Sequence, residues 1–318
     1  MSDELYTAVI AYKKFTVSLR ARDTLKLPLY KGSTLRGGFG GAFRRIFCTQ
    51  KKTDCRGCNH KGTCVYSYVF ETPPPVGSAV MRKYEAAPHP FVINPTMDRK
   101  TIYKSGEEIS FGLTLIGRAV TYLLYFISAF DEFGKNGIGK GRGEFELKEV
   151  VCDGGNTIYD DKHKVVNGFN PSYLTFSCDA EVESTTKSLK LVFLSPSRII
   201  YGGTLVVNPD FHVIIRQLLR RVSLLSYFHC SIDPSKWDFK GLIELARGVK
   251  VTHKRIRWYD WQRYSSRQDT KMSMGGFMGE MTLSGKLEPF RQLLRLGEVL
   301  HIGKGTSLGL GKFKIENV

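Results

Sequence analysis

The tetrapeptide Ile-Gly-Lys-Gly occurs twice in this chain, at residues 138–141 and 302–305, about half the chain apart. The second copy lies in a tail, residues 301–313, that contains four glycines and two lysines. Glycine allows positive φ and a close approach of the backbone to another group, and lysine supplies charge for a phosphate. The repeat predicts two related halves, each with a basic glycine loop.

The hydrophobic pattern predicts a similar succession of strands and helices in both halves. In the first half we expect strands at 5–20, 107–118 and 143–152 and helices at 34–47 and 119–133; in the second half we expect strands at 189–194, 249–261 and 271–283 and helices at 209–228 and 287–296. This order is typical of ferredoxin-like folds. The sequence therefore predicts an α+β protein of two tandem ferredoxin-like (RRM-like) domains, 1–170 and 171–318.

Composition and charge narrow the class of protein. The chain has 318 residues, 42% of them hydrophobic, which favours globular domains over disorder. Its longest apolar run, 119–130, is too short to span a membrane, and its polar N-terminus is unlike a secretory signal, so we expect a cytoplasmic protein. The net charge of +17 predicts a polyanionic partner, first of all a nucleic acid. A charge that serves only solubility and an anionic membrane surface are the alternatives.

Four cysteines, Cys48, Cys55, Cys58 and Cys64, fall in the short segment 48–64, and the middle two form a C-x-x-C pair. Four thiolates this close in sequence can enclose one tetrahedral ion, so we predict a cysteine-rich insert in the first domain that holds a structural zinc. An iron–sulfur cluster also takes four cysteines and stays an alternative. Disulfides and a redox C-x-x-C pair fit a cytosolic chain with flanking cysteines less well.

Residues 250–271 interleave basic and aromatic side chains. In a strand, alternate residues share a face, which places His253, Arg255 and Arg257 together with Tyr259 and Trp261. Cations beside stacking rings are typical of surfaces that bind single-stranded RNA. The competing interpretation is an edge strand with solvated arginines and aromatic residues in the core.

Several segments resemble the CRISPR-associated endoribonucleases of the RAMP superfamily that process precursor CRISPR RNA. The resemblance is strongest in the glycine tail 301–313 and in 263–268 followed by 275–279. Residues 35–40 before the cysteine cluster, and then 88–92, are similar to the subgroup with a cysteine-rich insert.

The resemblance implies two RAMP domains with RNA in or near the cleft between them, and precursor CRISPR RNA as the partner. It also implies metal-independent cleavage, in which a 2′-OH attacks the adjacent phosphate and leaves a 2′,3′-cyclic phosphate and a 5′-OH. Retention of the processed guide RNA, and association with other CRISPR-associated proteins, are further expectations.

The residues that carry out this chemistry are predicted as follows. His253 is the first candidate for the base or acid because it lies in the basic–aromatic stretch, and His89 follows because it lies in a Pro-His-Pro loop. Lys31 and Tyr264 are candidates for phosphate stabilisation or proton transfer. His229, beside an apolar helix, is expected to be a packing residue. The predicted RNA-binding residues are Arg36, Arg44, Arg255, Arg257, Arg263, Arg267, Gly303, Lys304, Gly305, Ser307, Gly309 and Lys312.

Two other functions compete with an endoribonuclease. A non-catalytic RAMP subunit that holds guide RNA in an interference complex would need the same fold and loops. A metal-dependent DNA-binding regulator would instead bind duplex DNA and lose affinity on chelation.

Overall fold

The computed structural model describes residues 7–50, 54–74, 87–164, 166–177, 188–265 and 270–318. The chain divides into two compact units. The N-terminal unit comprises Ala11–Tyr173 and Phe228–Cys230, and the C-terminal unit comprises Leu174–Tyr227, Ser231–Val318 and the chain up to Ile10. The division near Tyr173 lies close to the boundary predicted at 170, but two short segments group with the unit on the other side of it.

A five-stranded antiparallel path with two helices forms the framework of the N-terminal unit. Its elements are β1 (Thr7–Ala21), β2 (Leu25–Lys26), α1 (Gly32–Phe47), β3 (Phe91–Asn94), β4 (Ile102–Tyr103), β5 (Glu108–Ile116), α2 (Leu123–Asn136), β6 (Phe145–Cys152) and β7 (Thr157–Asp160). The strand order is β3-β5-β1-β6-β7, with β2 and β4 paired separately. Short helical turns occur at Cys55–Gly57, Ser67–Glu71 and Gly117–Tyr122.

The C-terminal unit repeats this plan. Its elements are β8 (Ser172–Ser177), β9 (Ser188–Ser197), β10 (Ile200–Tyr201), β11 (Thr204–Leu205), α3 (Phe211–Cys230), α4 (Phe239–Arg247), β12 (Lys250–Tyr259), β13 (Gln262–Ser265), β14 (Thr270–Ser273), β15 (Gly276–Ser284), α5 (Glu288–Leu300) and β16 (Phe313–Asn317). Its main sheet has the order β12-β15-β9-β16. In both units the chain runs strand–helix–strand–strand–helix–strand and the first strand lies between the third and the fourth, which is the predicted ferredoxin-like order.

The predicted strand 271–283 is interrupted in the structure. β14 ends at Ser273 and pairs with β13, whereas β15 begins at Gly276 and pairs with β12 and β9. The segment between them turns at Gly275, where a Cβ would lie 2.7 Å from the indole nitrogen of Trp258. Both parts are β-strand-like in composition, so the hydrophobic pattern has no signal for the break.

Phenylalanine side chains dominate the core between α1, α2 and the sheet of the N-terminal unit. Leu35, Phe39 and Phe43 recur at every fourth position of α1 and are fully buried. The ring of Phe39 stacks on that of Phe130 with centroids 4.5 Å apart. At Gly38, α1 approaches α2 so closely that a Cβ would overlap the ring of Phe133.

Replacing Phe39 by alanine is expected to lower the free energy of unfolding by about 3–5 kcal/mol, because the deletion leaves a cavity among packed rings. The control is Ile46→Ala on the same helix, where the side chain is 42% exposed and the expected loss is about 0.5 kcal/mol. Urea unfolding followed by far-ultraviolet circular dichroism measures both. Equal losses for the two variants would contradict this description of the core.

None of the helices in the described parts of the chain has the length and hydropathy needed to cross a membrane.

Candidate functional site

The glycine loop of the C-terminal unit, residues 301–312, departs from the end of α5. Arg221 of α3 donates through Nε to the carbonyl oxygen of Leu300 at 2.6 Å. The guanidinium is buried, and this burial lowers the pKa of Arg221 to about 9. His301 follows with φ +61°, and its buried ring hydrogen-bonds through Nδ1 to the carbonyl oxygen of Leu310 at 3.1 Å. His301 therefore holds the two ends of the loop together.

Two backbone hydrogen bonds close the glycine loop. The Ile302 N–H donates to the carbonyl of Gly311 at 2.9 Å, and the Lys304 N–H donates to the carbonyl of Arg198, just after β9, at 2.8 Å. Gly311 has φ +74°, and a Cβ there would overlap the Ile302 carbonyl. Only glycine fits this position without displacing the backbone of Ile302.

A buried hydroxyl on β9 completes the attachment of the loop. Ser195 Oγ donates to the carbonyl of Gly309 and accepts from the Lys312 N–H, both at 2.8 Å. Ser307 and Gly309 are buried within the loop, whereas Gly303 and Gly305 are half-buried and the Lys304 side chain is exposed. Of the loop residues predicted to bind RNA, Lys304 has the clearest access to a ligand. Within the described residues, its ammonium has no ion-pair partner.

The first copy of the tetrapeptide closes in the same way in the N-terminal unit. The Ile138 N–H donates to the carbonyl of Gly143, and the Lys140 N–H donates to the carbonyl of Lys26, both at 2.9 Å. Both isoleucines are buried and both lysines are exposed. Each loop thus joins the second helix of its unit to the last ferredoxin-like strand, which confirms the predicted duplication of the loop.

β12 presents the predicted cations on one face of an edge strand. His253, Arg255 and Arg257 are exposed, while Lys254, Ile256 and Trp258 alternate with them and are half-buried. We call the first three residues the β12 cation face. Across the sheet, Arg255 pairs in register with Glu280 and Arg257 with Met278. Within the described part of the chain, none of the three side chains has a hydrogen-bond or ion-pair partner.

Three predicted residues of the following hairpin carry no structural description of their side chains. Arg263 and Tyr264 lie in β13 and only their backbone is described, whereas Arg267 lies outside the described residues. Their roles stay predictions.

A second group of polar residues surrounds His89 in the N-terminal unit. Arg36 Nη2 lies 3.3 Å from His89 Nε2, and Thr72 Oγ1 lies 3.4 Å from His89 Nδ1. The Thr72 hydroxyl also donates to the Tyr68 carbonyl at 3.0 Å. The His89 ring lies nearly parallel to that of Phe91 at an interplanar angle of 14°. We call Arg36, Thr72 and His89 the His89 cluster.

The donors of the His89 cluster fix the direction of its hydrogen bonds. Arginine only donates, so Nε2 of His89 accepts. In the neutral ring Nδ1 then carries the proton and donates to Thr72 Oγ1, whose own hydrogen goes to the Tyr68 carbonyl. The ring is therefore oriented by a third group, with a lone pair at Nε2 beside a cation, an arrangement that suits a general base next to an anionic phosphate.

Two other predicted residues of this unit have structural contacts. Lys31 is 1% exposed, and its ammonium binds the carboxylate of Asp98 at 2.9 Å. This ion pair at the start of α1 keeps the amine from solvent, which does not favour contact with a substrate. The guanidinium of Arg44 lies over the ring of Tyr66, 5.8 Å from its centroid.

The four cysteines of the predicted insert are free thiols. No group of three or more histidine, cysteine, aspartate or glutamate side chains in the described residues has an arrangement that could hold a metal ion. Burial raises the pKa of the Cys55 thiol, with smaller contributions from Glu71 and neighbouring cysteines. The geometry gives no support to the zinc site or to its iron–sulfur alternative, and both stay predictions.

Two family models match the chain. The model AF_1859_N, an N-terminal domain, matches residues 10–170, just over half of the chain. The model of the CRISPR-associated endoribonuclease Cas6 matches residues 191–313, which contain the β12 cation face and the glycine loop. The first match covers half of the chain, so this chain belongs to the family with the AF_1859_N N-terminal domain. The match of residues 191–313 to the Cas6 model confirms the predicted resemblance to CRISPR-associated RNA-processing proteins.

The chain is also similar, at low identity, to proteins of known sequence or structure. An uncharacterized protein of Archaeoglobus fulgidus is 23% identical over 303 residues, which cover 92% of this chain and 93% of that protein. The Cas6 protein TTHB231 of Thermus thermophilus is 17% identical, with a TM-score of 0.57 as a product complex over 96% of this chain and 100% of the other. A chain of a partial Cas6-RT-Cas1–Cas2 complex has a TM-score of 0.54 at 13% identity, over 97% of this chain and 46% of that chain.

Replacing Gly311 by alanine is expected to lower the free energy of unfolding by at least about 2 kcal/mol, because strain at positive φ and the overlap with Ile302 act together. Gly202→Ala is the matched control. It also has positive φ, but nothing lies within 4 Å of its Cβ position, so the expected loss is about 1 kcal/mol. Thermal unfolding of both variants measures the difference, and an equal loss would show that the loop tolerates a side chain there.

Proposed function

We propose that this protein cleaves CRISPR repeat RNA without a metal ion, with His89 as the general base. The observation that carries the proposal is the hydrogen-bond chain from Arg36 through His89 to Thr72. Among the histidines of the described residues, His89 has an arginine on one ring nitrogen and a hydroxyl on the other. His253, the first candidate from sequence, is exposed and has no described group that orients its ring.

In the proposed reaction, RNA enters and the Arg36 guanidinium turns from His89 Nε2 to a phosphate oxygen. Nε2 then takes the proton of the 2′-OH, and the 2′ oxygen forms a bond to the adjacent phosphorus. The bond from phosphorus to the 5′ oxygen breaks, and that oxygen takes a proton from water or from a protonated side chain. The products are a 2′,3′-cyclic phosphate and a 5′-OH, and Arg36 stabilises the charge of the phosphorane.

Binding of the RNA strand is assigned to cations of the C-terminal unit. The β12 cation face and the Lys304 ammonium are exposed, and within the described residues none of these groups forms an ion pair with a carboxylate. Such groups bind the phosphates of a strand by electrostatic attraction and counterion release. His253 fits this role better than a proton transfer, because nothing in the described residues fixes its tautomer.

Replacing His89 by alanine is expected to reduce the rate of single-turnover cleavage of repeat RNA by roughly 100-fold or more, because loss of a general base costs about 10²–10⁴ in rate. Binding of the RNA should change little. His163→Ala is the control, since that ring is exposed and bonds only to Asp160. Cleavage is measured in EDTA with mass-spectrometric identification of the cyclic phosphate.

Three results would contradict this assignment. Full activity of His89→Ala would exclude it as the base, and loss of wild-type cleavage in EDTA would exclude the metal-independent reaction. Tight binding of repeat RNA that wild-type protein leaves intact would instead indicate a non-catalytic subunit.

Replacing Lys304 by alanine is expected to weaken RNA binding and to reduce the slope of log Kd against log salt by about 0.7, the value for one phosphate contact on a single strand. The expected loss is largest at low salt. Lys140→Ala is the matched control, because this lysine occupies the equivalent loop position in the N-terminal unit. Unchanged affinity and slope for Lys304→Ala would remove the glycine loop from the binding surface.

A further inference from the structure

The segment that carries His89 is anchored at three points by groups distant in sequence. The Ala87 N–H donates to the Thr72 carbonyl at 2.9 Å, and the Ile116 N–H donates to the Pro90 carbonyl at 2.9 Å. Between them, His229 Nε2 lies 2.8 Å from the carbonyl oxygen of Pro88, the residue before His89. His229 is 4% exposed and belongs to the short segment 228–230 that groups with the N-terminal unit.

Contacts at both ring nitrogens fix the tautomer of His229, and Tyr68 supplies one of them. Its Nε2 faces a carbonyl, which only accepts, so Nε2 carries the proton and Nδ1 of the neutral ring accepts. The Tyr68 hydroxyl lies 3.0 Å from Nδ1 and donates to it. Burial raises the pKa of Tyr68, so this hydroxyl keeps its proton. The guanidinium of Arg118 lies over the Tyr68 ring, 4.1 Å from its centroid.

The backbone around His229 is also adapted to this contact. Gly117 has φ +57°, and a Cβ on it would overlap the carbonyl of His229. A side chain at residue 117 would therefore displace either residue 229 or the turn itself. The close approach is therefore built into the turn after β5.

We infer that His229 is a positioning residue for catalysis, which, oriented by Tyr68, holds the Pro88–His89 peptide so that the His89 ring meets Arg36 and Thr72. This inference rests on the proposed function of His89. It replaces the expectation that His229 only fills space beside an apolar helix. His229 touches neither substrate nor reacting atoms in this assignment, and it acts through a single carbonyl. Tyr68 contributes twice, since its carbonyl also accepts from Thr72.

The test compares three variants with wild-type protein. His229→Leu removes the donor to Pro88 and is expected to lower kcat for repeat-RNA cleavage roughly 10- to 100-fold, because a small misplacement of a catalytic group has effects of this size. Tyr68→Phe removes only the hydroxyl that sets the tautomer and is expected to lower kcat by a smaller factor. His229→Gln keeps an N–H that can reach Pro88 and is expected to recover most of kcat. KM should stay within about twofold throughout, since none of these groups binds RNA.

His212→Leu on the same helix is the matched control, because the described contact of His212 is with the ring of Tyr201. It should keep wild-type kcat. If His229 has a merely structural role, the variants should lose thermal stability in proportion to their loss of activity. His229→Gln should then recover kcat only as far as it recovers thermal stability. Wild-type kcat in His229→Leu, or equal kcat in the leucine and glutamine variants, would overturn the inference. If His229→Leu does not fold, Tyr68→Phe decides, and wild-type kcat in it overturns the role of the tyrosine.

A measurement without RNA separates this inference from the proposed function. Proton–nitrogen correlation spectra of protein labelled at histidine should show Nε2–H for His229 and Nδ1–H for His89 in the wild type. Tyr68→Phe should add the Nδ1–H tautomer of His229. The opposite tautomer of His229 in the wild type overturns the inference even if RNA is cleaved. If the wild type shows the expected tautomers but His89→Ala cleaves RNA as fast as the wild type, the anchoring by His229 is right and His89 is not the base.

Discussion

Both halves of this chain depend on one backbone arrangement, the closure of a glycine turn against another segment of the same unit. In each unit an isoleucine N–H closes the turn, and a lysine N–H binds a carbonyl at the end of another segment, Lys26 in one case and Arg198 in the other. The last strand, β6 or β16, starts from this turn. Because the turn needs positive φ and leaves no room for a Cβ, the glycine spacing is visible in sequence. In both turns the lysine amide is bound while its side chain is exposed.

The parts of the fold that follow from local chemistry could be predicted, and the site could be predicted only in part. Phe39 and Phe43 signal α1 by their spacing, and alternation along β12 indicates which face carries His253 and Arg255. The interruption at Gly275 and the anchoring of Pro88 depend on contacts between distant segments. His229 lies 141 residues from Pro88 in the chain, and no local pattern connects them. A buried histidine looks the same in sequence whether it packs or donates.

The positive charge of the protein is not evenly available. In the N-terminal unit, Arg20 of β1 contacts Glu146, Asp161 and Glu108 at 2.8–3.7 Å. In the C-terminal unit, Lys190 is shared between Glu280 and Glu316. These carboxylates neutralise the middle of each sheet, whereas the edge strand β12 keeps cations without described partners. Much of the net charge of +17 therefore acts from an edge and from loops, where a flexible polyanion can reach it.

The exposed cations and the His89 cluster should respond differently to substitution. A cation that meets phosphate across water contributes a salt-dependent attraction, and its loss is spread over the whole bound strand. The His89 cluster is different, because its ring is oriented by Arg36 and Thr72 and its backbone by His229, so small displacements change the reacting geometry with little change in charge. Substitutions on the β12 cation face should therefore appear mainly in KM and its salt dependence. Substitutions behind His89 should appear in kcat, because His229 and Tyr68 act in the proposed site only through the position of His89.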